Sequence, residues 1–165
     1  MIMSVIKRIL LHLVGLLGVA ILAGIASGVI AGLVGSDPGA VAAWCARAYL
    51  ALALLLPLGL WIVVVTFFDQ DSDLYEGWGT ALAVTVVPAI LGALAARIAF
   101  VGPATTAAAI VKPRLDPGGL ATAMAAEFGW AVVLPVLIAT AVGAILIAVW
   151  ARRRGSTLPG IGSGL

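Results

Sequence analysis

The chain reads as an all-α integral membrane protein: four transmembrane helices, kinked by proline and joined by short loops. Two compositional facts and one pattern predict this class. Of 165 residues, 64% are hydrophobic and 10% charged, whereas a soluble domain runs at about half apolar and about a quarter charged and needs that charge to cover its core. The same balance excludes a disordered chain, which requires low hydrophobicity and high charge. The apolar residues gather in four runs, each reaching the roughly 20 residues that a helix needs to cross about 30 Å of hydrocarbon. None of the runs alternates in the pattern of a membrane β-barrel.

The first expected span, residues 9–34, follows the basic pair Lys7 and Arg8. Gly24-Ile25-Ala26 has the small-residue form of a signal cleavage site. The apolar run continues past it to Gly35, longer than a signal core, so this helix is expected to stay. The second span covers residues 49–68 and the third 79–98. The fourth covers 130–150 and stops at Arg152, Arg153 and Arg154. Its apolar run begins at residue 119, so residues 119–129 are expected to project beyond the hydrocarbon as the first turns of one long helix. Residues 1–154 form one transmembrane domain on this reading, and 155–165 a flexible tail.

Trp130 and Trp150 stand 20 residues apart, one membrane thickness, as an aromatic belt would place them. Tyr49 with Phe67 and Phe68, and Trp78 with Phe100, are expected to bracket the second and third spans in the same way. Four crossings put both termini on one side. Lys7, Arg8 and the three terminal arginines lie there, against Arg47, Arg97, Lys112 and Arg114 opposite. The positive-inside tendency then assigns the termini to the cytoplasm. Arg outnumbers Lys seven to two in an Ala-, Gly- and Val-rich chain. That bias points to a GC-rich bacterial genome and hence to the bacterial inner membrane.

Helix one carries the most specific pattern. Ala20, Gly24, Gly28 and Gly32 recur every four residues, with Ala23, Ser27, Ala31 and Gly35 in the adjacent row. Such a glycine zipper leaves one flank of the helix almost without side chains, so another backbone can approach closely, and close approach drives helix association in lipid. Ala20, Gly24, Ser27, Gly28, Ala31 and Gly32 are therefore the expected packing interface, either against helix two or four or against another membrane subunit. Helix three has a lesser row at Ala81, Thr85, Ala89 and Ala93. Pro57, Pro88 and Pro135 each remove a backbone donor near the middle of a span and are expected to bend it. Asp37-Pro38-Gly39 and Asp116-Pro117-Gly118 both read as helix starts, and a proline follows 20 and 19 residues after the respective Asp. A duplicated two-helix unit would give this pattern, and so would convergent capping.

Arg47, Arg97 and Glu127 map to one rim of the bundle. Ionisable groups at that depth pair, reach water or bind a charged group, so the three form a candidate outer-rim charge cluster. Asp69-Gln70-Asp71-Ser72-Asp73 begins like a calcium loop, but Leu74 stands where glycine is required and Thr80 where the bidentate Glu is required, so no EF-hand is expected. His12 lies near Lys7 and Arg8 as an interfacial histidine. One Cys and one His provide neither a disulfide, a metal cluster nor a catalytic pair. No catalytic residue, metal or cofactor is expected. Nor is nucleic-acid binding, since the net charge of +2 is split over both faces.

With short loops and no catalytic constellation, the expected function is that of a small accessory subunit. The host would be a larger bacterial inner-membrane complex for transport, secretion or energy conversion. The expected partners are the lipid bilayer and other membrane subunits, met through helix one. A small homo-oligomeric transporter or channel is the alternative, and an enzyme is the weakest reading.

Overall fold

A computed structural model of the chain describes residues 2–68 and 77–156, which form helices without a strand. Helices α1 (Ile2–Val34), α2 (Pro38–Phe68) and α3 (Trp78–Val111) are followed by a short α4 (Pro117–Glu127) and by α5 (Trp130–Ser156). Three of them are long and apolar enough to cross a membrane, over Leu13–Val34, Ala81–Val111 and Trp130–Trp150. The protein is therefore an all-helical, multi-pass membrane protein. The acidic segment 69–76 and the tail beyond residue 156 lie outside the described residues, as do the side chains of Lys7, Arg8, His12, Pro57 and Arg154.

The most extensive contact in the bundle joins α1 to α3, and it explains the glycine row. A Cβ built on Gly24 would stand 2.6 Å from the Phe100 carbonyl oxygen, one on Gly28 would lie 2.9 Å from Ala104 Cα, and one on Gly32 would lie 3.2 Å from the Ala108 oxygen. A Cβ on Gly92 of α3 would in turn meet the Leu16 side chain. Every one of these pairs is separated by 76 positions, and the numbers rise together, so α1 and α3 run parallel. Gly24, Gly28 and Gly32 thus pack within the chain against α3, while Gly35 of the adjacent row meets Val41 of α2. The flank of α1 left outside carries larger apolar residues: Val14, Leu22, Ile30 and Leu33 are exposed.

Helices α2 and α4 repeat the arrangement. They begin side by side, where a Cβ on Gly119 would lie 3.6 Å from Pro38 Cγ, and farther down the Tyr49 ring meets that of Phe128, 79 positions on, in a tilted contact at 5.5 Å. Burial follows the same offset past the shared Asp-Pro-Gly starts. Val41 and Leu120, Cys45 and Met124, Tyr49 and Phe128, and Ala53 and Val132 are all buried. Two helical hairpins, α1–α2 and α3–α4–α5, therefore lie side by side, with α1 against α3 and α2 against α4.

Local chemistry fixes the helix ends. Asp116 caps α4 by accepting from the N–H groups of Gly118 at 3.2 Å and Gly119 at 2.8 Å. Asp37 accepts from Ala40 N–H at 3.0 Å at the start of α2, and Lys112 Nζ donates to the Gly35 carbonyl just past α1. Losing an Asp cap costs roughly 0.5–2 kcal/mol. Asp116→Ala is expected to lower the thermal midpoint of the solubilised protein more than Asp37→Ala does, because it orphans two N–H groups and not one.

The fourth apolar run is two helices, because the chain tightens where Gly129 N–H reaches back to the Ala126 carbonyl at 3.3 Å and the Gly129 carbonyl opens α5. Leu120 and Met124 of the first of these helices are buried against the bundle. Tyr49 and Phe100 are not belt residues but fully buried core, while Trp130 remains 76% exposed. Helix α3 also runs on well past the expected end at residue 98, through Pro88 and Pro103 without interruption.

Candidate functional site

The two helices that start with Asp-Pro-Gly differ in burial. In α2, Ala42 and Ala46 are buried. The loop 112–116 before α4 is longer than the loop 35–37 before α2, and the break at residues 128–129 redirects the chain. The equivalent residues Ala121 and Ala125 are exposed, and a groove of about 340 Å³ opens between α3 and α4. Arg97, Ile98, Val101 and Gly102 form its α3 wall, and Ala121, Met124, Ala125 and Phe128 its α4 wall. A Cβ on Gly102 would meet nothing within 4 Å, so this glycine widens the groove instead of serving packing.

Arg97 is half-buried and is the one charged group on these walls. Its turn is held by the core: the Tyr49 hydroxyl donates at 3.0 Å to the Ala93 carbonyl, one turn before Arg97. The rings of Tyr49, Phe100 and Phe128 meet at centroid distances of 5.4, 5.5 and 6.0 Å behind it. Among the charged rim residues expected to cluster, Arg97 lines the groove and Glu127, exposed, ends α4 just before Phe128. Arg47 points out from the exposed flank of α2, between buried Ala46 and half-buried Ala48. By the 79-residue offset between the two Asp-Pro-Gly helices, Glu127 stands where α2 has Ala48, and Arg47 where α4 has Ala126.

Ala20, Gly24, Ser27, Gly28, Ala31 and Gly32 are all buried in α1 and belong to the fold, not to this site. Reading single helices missed Gly102, Met124, Ala125 and Phe128. The signal that could have found them is the match of residues 37–53 to 116–132, followed until it fails at the charges. Among the described residues no group of three His, Cys, Asp or Glu converges, so the chemistry of the groove is one cation set in apolar walls.

These features define a multi-pass helical membrane protein with a cation-lined lateral groove. Comparison with protein-family models, with curated proteins and with solved structures finds no match.

Proposed function

We propose that the protein is a small accessory subunit of a larger bacterial inner-membrane complex, with four spans bent at Pro57, Pro88 and Pro135 and both termini in the cytoplasm. One observation carries this reading: the apolar surface is taller than a bilayer. The apolar stretch of α3, Ala81–Val111, has 31 residues, about 46 Å at 1.5 Å per residue, against a hydrocarbon core of about 30 Å. Tilt alone would have to reach about 50° to hide it, beyond the 0–40° that spanning helices adopt.

The surplus lies at one end. Arg152 stacks over Trp78 at 4.3 Å, which sets the end of α5 level with the start of α3. The 76-residue offset instead sets the α1 stretch Leu13–Val34 against residues 89–110. Set level with the shorter α5 stretch Trp130–Trp150, the α1 and α3 stretches extend past it at the end that carries Ile30, Leu33, Val34 and Ile110. All four are exposed, Ile110 at 73%. An exposed apolar patch of that kind is a surface on which another protein docks.

Two measurements test the reading. Reporter fusions at Leu165 and in the loop 112–116 are expected on opposite sides, with the terminus cytoplasmic. The gently solubilised native protein is expected to migrate with other chains in fixed ratio, and Ile110→Lys with Leu33→Lys to release it as a folded monomer. A ring of identical chains would favour the transporter or channel, and a wild-type monomer would remove both.

A further inference from the structure

We propose that the α3–α4 groove binds a single-chain organic acid, its carboxylate on Arg97 and its apolar body between the two helices. The argument comes from the lining of the groove and does not rest on the partner subunit. Helices α3 and α4 part, the small residues Gly102, Ala121 and Ala125 are exposed along the opening, and an arginine stands at its end. A merely loose helix pair would expose an apolar crevice. Arg97 gives this crevice a charged end and selects an anion.

Size narrows the ligand. The groove volume of about 340 Å³ falls at the lower end of small-molecule sites, which run about 300–1,000 Å³. Its α4 wall extends from Ala121 to Phe128, about 10 Å at 1.5 Å per residue. That length suits one chain of about eight to ten carbons and is too short for the paired long chains of a phospholipid. The guanidinium supplies a planar fork matched to a carboxylate. Met124 and Phe128, both buried, floor the apolar part. Arg97 also lies near the level of Trp130, so a ligand enters from the boundary zone without crossing hydrocarbon.

The test uses the full chain in nanodiscs of zwitterionic lipid and decanoate bearing a terminal diazirine as the probe. Saturable labelling is expected, with cross-links mapping to residues 97–102 and 121–128, and the uncharged decanol analogue is expected to label weakly. Arg97→Gln should weaken decanoate binding about tenfold or more, as loss of a charge-assisted bidentate contact does, and Arg47→Gln should leave it unchanged. Gly102→Leu provides a second arm that does not touch the charge. Nothing lies within 4 Å of its Cβ, so the fold accepts it while the leucine fills the groove, and labelling should be lost. Unsaturable labelling, equal binding by Arg97→Gln and wild type, or full displacement by phosphatidylglycerol in the disc would each overturn the proposal.

Discussion

Gly28→Leu is expected to abolish accumulation of the folded protein, whereas Val29→Leu, of similar bulk on the next face, is expected to be tolerated. The cause is backbone against backbone. A Cβ at Gly28 would overlap the Ala104 carbonyl and lie 2.9 Å from its carbon and Cα. None of these atoms can rotate away, so even Gly28→Ala must push α1 from α3. In water, overpacking typically costs about 1–3 kcal/mol. In lipid the separated helices suffer no hydrophobic penalty to hold them together, so the larger leucine is expected to part them. Gly18 supplies the control, because a Cβ there meets nothing within 4 Å, and Gly18→Ala should melt like wild type. Membrane-fraction yield and thermal unfolding in detergent check the series. If Gly28→Ala is as stable as Gly18→Ala, α1 does not pack on α3 as described. If Gly28→Leu folds but leaves its partners, the row faces another chain.

This contrast also marks how far the chain could be read unaided. The helix starts at Asp37 and Asp116 were legible because capping is local: the acid, the proline and the waiting N–H groups lie within four residues. The row from Ala20 to Gly32 was legible as a packing face for a similar reason, since four-residue spacing is a property of one helix. What it packs on was not, because α3 meets it with Phe100, Ala104 and Ala108, which form no matching glycine row. Tyr49 and Phe100 were misplaced on physical grounds too. In a membrane helix the lipid-facing and core-facing sides are both apolar, so hydrophobicity does not separate a boundary aromatic from a buried one. The groove needed both halves. Only when residues 37–53 are set against 116–132 do buried Ala42 and Ala46 become the counterparts of exposed Ala121 and Ala125.

Tyr49→Ala is expected to be the most damaging substitution in α2, with Phe128→Ala close behind and the pair far from additive. The two rings and Phe100 are each 1% exposed or less, and they touch in tilted pairs at 5.4 to 6.0 Å. Deleting a buried aromatic costs about 3–5 kcal/mol in soluble cores, from lost transfer energy and the cavity left behind. Lipid removes most of the transfer part, so the lower end of that range is expected. The hydroxyl contributes less. Interhelical hydrogen bonds in membranes average about 0.6 kcal/mol, so Tyr49→Phe, which loses the bond to the Ala93 carbonyl, should shift the unfolding midpoint only slightly. Because the Tyr49 and Phe128 rings touch, the first truncation already removes the contact that holds the second. The double variant should then lose less than the sum of the singles, by a coupling of about 0.5 kcal/mol or more. Denaturation of the four proteins in mixed micelles gives the cycle. Additive losses would mean that the rings do not meet, and the pairing of α2 with α4 would lose its keystone.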